Sequence, residues 1–217
     1  MLKILETKIV DRFEYQTLGK VKKQFDAKDF PAPTKVFSSL NKAQTAFFQR
    51  AMKDKSSAIY KATSAGRKVH NAIETGVIKD LITEAAVNCF ERDIAVDIDE
   101  VWGAEHGLIS VSNKYVGKFD AVGVFRGKTT MWDYKKVNKL KTPSQIKNYI
   151  KQCAAYALAH DEMYDTNIEQ IAVMMVGGKE VDSMESRVFT FGGEELAAAK
   201  QDFKNDVKKY YIQHSLG

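Results

Sequence analysis

The order of local patterns along the chain predicts a mixed α/β (α+β) fold built on a mixed sheet. Three observations carry this. Apolar residues recur at helical spacing through residues 42–92. From 94 to 137 the chain turns to runs of Val, Ile, Phe, Trp and Thr, which read as strands. After 142 a helix, two strands and a closing helix follow, which is not the cadence of a regular βαβ array.

Taken in order, Pro31-Ala32-Pro33 sets off residues 1–37 as a polar hairpin or extended arm. Ala43, Phe47 and Ala51 mark the next helix, and further helical patterns cover about 56–75 and 79–92, with Gly76 as the break between them. Strands are expected over 94–102, 107–112, 115–126 and 129–137. A tight turn at Gly127-Lys128 would join the last two. Thr142 as N-cap and Pro143 at the first helical position open a helix to about His160. Strands at 171–176 and 187–191 precede a helix that carries Leu196, Phe203, Val207 and Tyr210 on one stripe. One domain is expected over 1–217: the arm 1–37, a helical part 38–92, a sheet core 93–191 with its helix at 143–160, and a C-terminal helix 192–214.

A chain of 217 residues should bury roughly 70% of the surface that its unfolded form exposes, so no staple is needed. With 44% hydrophobic and 28% charged residues it is not a disordered chain. No apolar run approaches the roughly 20 residues of a membrane span, and the opening MLKILETKIVDRFEY has no signal-peptide core. A soluble, cytoplasmic protein is therefore expected. The two cysteines, Cys89 and Cys153, suit a reducing compartment and exclude a four-cysteine zinc or iron–sulfur site made by this chain alone.

The net charge of +5 is concentrated in one place. Residues 134–160 hold Lys135, Lys136, Lys139, Lys141, Lys147 and Lys151 and no Asp or Glu. Localised cations of this kind suit a polyanion, because each lysine that neutralises a phosphate releases counterions. A plain solvated basic helix is the competing reading.

The residues that stand out chemically lie on the expected hairpin, in Val116-Gly117-Lys118-Phe119-Asp120 and Met131-Trp132-Asp133-Tyr134-Lys135. A two-residue loop at Gly127-Lys128 would set Asp120 opposite Lys135, with Asp133 its diagonal neighbour. Two carboxylates among apolar side chains are costly unless a positive charge sits between them. Lys135 supplies part of that charge, and a divalent cation would supply more. Oxygen ligands, with the Tyr134 carbonyl as one of them, suit Mg²⁺. An ordinary Asp–Lys ion pair on a half-exposed sheet is the alternative. In the helix before, Gly66, His70 and Glu74 recur every four residues and form one stripe. There His70 could supply a nitrogen ligand that would make Mn²⁺ a good substitute, Glu74 could hold a second ion or orient water, and Gly66 leaves a gap; a capped or packed helix histidine is the alternative. Gln145, Asn148, Gln152 and Tyr156 make a polar stripe on the helix that follows the hairpin; Gln152 and Tyr156 are expected to contact DNA, with bracing of the site as the alternative. Phe47, Phe48 and Tyr60 are expected as packing residues, with stacking on bases as the alternative role.

In sequence order, G-x-x-x-H-x-x-x-E, an acidic residue before a strand (Glu100), G-x-F-D, D-x-K and Q-x-x-x-Y resemble the PD-(D/E)xK nuclease superfamily. The pattern is most similar to its RecB-like exonuclease branch, which includes the mitochondrial genome maintenance exonuclease and related phage exonucleases. The resemblance spans about 38–160. It implies a restriction-endonuclease-like core with extra N-terminal helices. His70, Asp120, Asp133 and the Tyr134 carbonyl would bind one or two Mg²⁺ or Mn²⁺ ions, Lys135 would be the catalytic lysine, and Gln152 and Tyr156 would match the motif of the following helix. Lys136 stands where the family often has Thr or Ser, and Phe119 replaces a proline. Without four cysteines, no iron–sulfur cluster is implied.

The implied activity is metal-dependent DNA exonuclease cleavage, with single-stranded ends as substrate, in replication, recombination or repair in a bacterial or phage-infected cell. Lys136, Lys139, Lys141, Lys147 and Lys151 would grip the DNA backbone. Rival readings are a duplex-resecting 5′ exonuclease, a structure-specific endonuclease, and a non-catalytic DNA-binding protein that keeps a nuclease-like fold.

Overall fold

A computed structural model describes residues 1–215. Three short helices, α1 (Lys3–Glu6), α2 (Leu18–Gln24) and α3 (Pro33–Leu40), occupy the segment read as an arm. Between α1 and α2 the backbone does run extended, and it braces the sheet. Val101 donates its N–H to the Lys8 carbonyl at 2.8 Å, and Gly107 donates to the Gln16 carbonyl at 2.8 Å. The expected hairpin does not form.

Helices α4 (Lys42–Lys53), α5 (Ala58–Thr75) and α6 (Leu81–Asp93) follow as their spacing predicts. Gly76 closes α5 at φ +74°, a backbone state that costs glycine nothing. The strands are β1 (Ile98–Ala104), β2 (Gly107–Ser110), β3 (Tyr115–Lys118), β4 (Ala121–Phe125) and β5 (Lys128–Val137). A short 3-10 turn at Ala95–Asp97 replaces the expected start of the first strand, and the stretch 115–126 is two strands broken at Phe119-Asp120. Past a 3-10 turn at Pro143–Gln145 come α7 (Lys147–Tyr164), β6 (Gln170–Gly177), β7 (Glu185–Gly192) and α8 (Gly193–Ser215).

The five-stranded sheet runs β1-β4-β5-β6-β7. Only β5 and β6 are parallel, and α7 is the crossover that such a pair requires. Strands β2 and β3 form a separate ribbon. Side chains alternate across the central strands, so Met131, Ile171 and Val173 face a core shared with α3, α7 and α8. Trp132, Ala172 and Met174 face a second core with α1, α5 and α6. Among the described residues no helix is long and apolar enough to cross a membrane.

The β4–β5 turn is not the one expected. Its two central residues are Arg126 (φ +50°) and Gly127 (φ +73°), both left-handed as a type I′ turn requires. Two carboxylates hold this geometry: Asp97 Oδ2 accepts from Arg126 Nη2 at 2.7 Å, and Asp99 Oδ2 accepts from the Gly127 N–H at 2.8 Å. The register therefore pairs Phe125 with Lys128 and Ala121 with Trp132. Asp120 is not opposite Lys135.

A buried network ties the arm to α7. His160 lies 2.8 Å from the Tyr15 hydroxyl and 2.8 Å from that of Thr166. Burial lowers its pKa from 6.5 to about 4. Between those values the unfolded chain takes up the proton and the folded chain does not, so stability falls as pH drops through that window. The contribution is complete above about pH 6.5 and costs at most about 3 kcal/mol by pH 4. Thermal unfolding between about pH 7 and 4.5 should show this loss, and His160→Gln should flatten the profile. An equally steep profile in the variant would reject the assignment.

Candidate metal site

The site forms where strands of unequal length part. The β4–β5 ladder ends at Ala121 and Trp132, while β5 continues beside β6 as far as Val137. The far part of β5 is thus left with an unpaired edge. There the Tyr134 N–H donates to Asp120 Oδ2 at 2.9 Å, so the carboxylate finishes the sheet where the backbone of β4 cannot. The strand break at Phe119-Asp120 places the carboxylate at this edge.

Gly117 belongs to the same device. A Cβ there would lie 2.4 Å from Cε1 of the buried Tyr156 ring. G-x-F-D and Q-x-x-x-Y are therefore sterically matched. Gly117→Ala should cost about 1–3 kcal/mol by overpacking, read from a urea unfolding curve. An unchanged midpoint would show that the ring yields freely. The gap assigned to Gly66 is not needed, since a methyl group would meet only the Lys136 carbonyl at 3.6 Å.

Three side chains converge at this edge. His70 on α5, Glu105 in the β1–β2 turn and Asp120 offer ligand atoms all within 4.8 Å of one another. His70 Nε2 is 2.9 Å from Asp120 Oδ2, and its Nδ1 is 3.2 Å from Glu105 Oε1. Burial disfavours the imidazolium, but hydrogen bonding and attraction to Asp120, with help from Glu105, hold the His70 pKa above its ordinary value. Burial also opposes ionisation of Asp120, and the His70 bond and Lys135 outweigh it, so that carboxyl stays below its usual range.

Asp133 and Lys135 stand on the α7 side of β5. The Lys135 ammonium is 2.5 Å from Asp133 Oδ2, 4.0 Å from Asp120 Oδ2 and 3.2 Å from the Tyr134 carbonyl. Burial pushes Asp133 up to about 7. It would also lower Lys135, but the two carboxylates hold that ammonium above its ordinary value. The ring of Tyr149 lies 5.2 Å from Lys135 Nζ and also carries Lys141, whose Nζ donates to the Tyr149 hydroxyl at 2.9 Å. Tyr149 opens in turn onto a groove of about 770 Å³ between α3, α4 and α7, lined by Phe37, Gln44, Phe48, Asn148 and Gln152.

His70, Asp120, Asp133 and Lys135, singled out by spacing, are brought together. Glu74 is not among the converging ligands; it stays at the exposed rim, near the Lys118 ammonium. Glu105 takes the place given to it. The acid expected at Glu100 accepts from Trp102 Nε1 at 2.6 Å on β1 instead. Glu105 carries no periodic signal, because it sits in a turn at φ +58°. Its N–H donates to the Asp120 carbonyl at 3.1 Å, which ties the two acids together through the backbone. The Tyr134 carbonyl, read as a metal ligand, accepts from Lys135.

The expected DNA-binding lysines differ among themselves. Lys139 and Lys147 are exposed. Lys136 is half-buried and donates to the carbonyls of Val137 and Gly178, and Lys151 pairs with Asp206 at 2.6 Å. Gln152 donates to the Tyr156 hydroxyl at 3.2 Å, and Tyr156 is buried. Phe47 and Phe48 are 62% and 46% exposed, so the packing expected of them is not found.

No family model matches the sequence, and no curated protein matches it. One solved structure that resembles the chain is a protein from Eubacterium rectale described as "Putative exonuclease". It aligns over 91% of this chain and 80% of its own at a TM-score of 0.53 and 13% identity. At that identity the likeness shows a similar fold, which in this chain is a five-stranded mixed sheet flanked by helices.

The donor set fits a hard divalent cation. Asp133 Oδ1 and Glu105 Oε1 are buried without a hydrogen-bond donor, while Asp133 Oδ2 meets the Lys135 ammonium; a buried carboxylate oxygen left bare in this way suits a cation. One imidazole with several carboxylates suits Mg²⁺ or Mn²⁺.

Proposed function

We propose that this chain is a Mg²⁺- or Mn²⁺-dependent DNA exonuclease of the PD-(D/E)xK type, of its RecB-like branch. It would hydrolyse phosphodiesters at single-stranded ends in replication, recombination or repair. The observation that carries the reading is the acidic cup of His70, Glu105 and Asp120 beside a lysine that two aspartates hold charged. The E. rectale protein's description as an exonuclease agrees with it.

His70, Glu105 and Asp120 would hold the cation, with Asp133 alongside. When bound, the ion would polarise the scissile phosphate and lower the pKa of a nearby water. The protein's own contribution is orientation and charge. Asp120 is anchored by the Tyr134 N–H, so its carboxylate is already placed before substrate arrives. Asp133 keeps Lys135 protonated and aimed along the sheet edge. From there the ammonium stabilises negative charge that develops on the phosphate.

Substrate access follows from the groove that Tyr149 borders. Its lining is aromatic and amide-rich, which suits the faces and edges of unpaired bases. Exposed Lys139 and Lys147 supply backbone contacts. Lys136, Lys141, Lys151, Gln152 and Tyr156 brace the wall rather than reach out.

The test is a panel of end-labelled single-stranded, duplex and circular DNA, incubated with Mn²⁺ or EDTA. Single-stranded ends should be shortened with Mn²⁺ only, and the circle left whole. Cutting of the circle would mean an endonuclease, and a preference for duplex ends a resecting enzyme. Cleavage retained by pure Asp133→Ala protein would reject the site.

A further inference from the structure

We propose that Lys118 is a positioning residue that presents Glu105 to the cation; the inference rests on the metal reading above. Glu105 has a fixed backbone, since its left-handed φ of +58° is held by the bond to the Asp120 carbonyl. Its side chain is not fixed by that bond. A glutamate on a turn ordinarily swings its carboxylate into water, where an anion is best solvated.

Here the carboxylate points inward and is 11% exposed. Its two oxygens are used differently. Oε2 is taken by the Lys118 ammonium, while Oε1 is buried, has no hydrogen-bond donor, and lies 3.2 Å from His70 Nδ1. One oxygen is therefore tethered and the other left free on the side where His70 and Asp120 converge. The β2–β3 ribbon makes this possible. It pairs Lys118 with Gly107, two residues along the chain from Glu105, so the lysine reaches the carboxylate from the outer rim. Half of the Lys118 side chain stays exposed, with Glu74 the other acid nearby. The arrangement is that of an outer partner which orients a ligand, a role whose loss typically costs 10–100-fold in metal affinity.

The sign of the effect separates this from plain electrostatics. A lysine near a cation repels it, so neutralising Lys118 should tighten metal binding if charge were all that mattered. Positioning demands the reverse.

Calorimetric titration of the full chain with Mn²⁺, in the absence of DNA, decides between them. Lys118→Met should weaken binding by about 10–100-fold, and Lys118→Gln should do the same should the Met variant fold poorly. Lys118→Arg, which can still reach Glu105, should retain most of the affinity. Lys208→Met, an exposed lysine on α8, is the control and should leave it unchanged. Unchanged or tighter binding in both neutral variants would overturn the role of Lys118. Failure of the wild-type chain to bind Mn²⁺ at all would instead reject the metal site itself.

Discussion

Lys135→Ala should slow DNA cleavage on the order of 10²–10³-fold, the usual loss when a preorganised charge aimed at the transition state is removed. The ammonium is positioned by Asp133 at 2.5 Å, by Asp120 at 4.0 Å and by the Tyr134 carbonyl at 3.2 Å. Tyr149 closes the remaining side. Because Lys135 is mostly covered, it adds little to the first encounter with DNA, and affinity should change far less than rate. Single-turnover cleavage with enzyme in excess, set beside fluorescence anisotropy of labelled single strands, separates the two quantities. A variant that cuts at the wild-type rate would remove Lys135 from the chemistry, while equal losses in rate and affinity would make it a binding residue only.

Mn²⁺ should also stabilise the folded chain. A ligand that binds only the native state adds about 2.7 kcal/mol at a concentration 100-fold above its Kd. For a protein of this size that is a rise of roughly 5–10 °C in Tm. The source is local. The cup buries Asp133 Oδ1 and Glu105 Oε1 without donors, and the cations beside it among the described residues are the ring of His70 and the ammonium groups of Lys118 and Lys135. A cation relieves that repulsion in the folded state, whereas the unfolded chain scatters the same groups. Calorimetric scans should show the rise with Mn²⁺, its reversal by EDTA, and its near absence in His70→Ala and Asp120→Asn. A rise of the same size in both variants would place the ion elsewhere.

Much of the site was legible before any coordinates. Asp133 and Lys135 alternate on one strand, and His70 lies on a helix that precedes it; both facts depend on spacing within a single element. The partners across elements were harder. The turn was misplaced by one residue because Arg126 adopts a left-handed conformation that its own side chain does not favour, and Asp97 and Asp99 secure it from a distant strand. Glu105 escapes a reading of the sequence for a related reason: Glu74 repeats at helical intervals, whereas Glu105 stands alone in a turn.

The sequence by itself determined the order of helices and strands from α4 onward and the residue types available for chemistry, because backbone periodicity and capping act over a few residues, whereas the arm's helices carry too short a pattern to be read. Only the tertiary structure decided where β4 leaves β5, and that parting decided the rest. It opened the edge that Asp120 covers, brought the Glu105 turn against it, and turned the lysine-rich stretch into two exposed cations and several braces. Such outcomes depend on which backbone groups remain unpaired once the whole sheet has formed, and no local pattern encodes that.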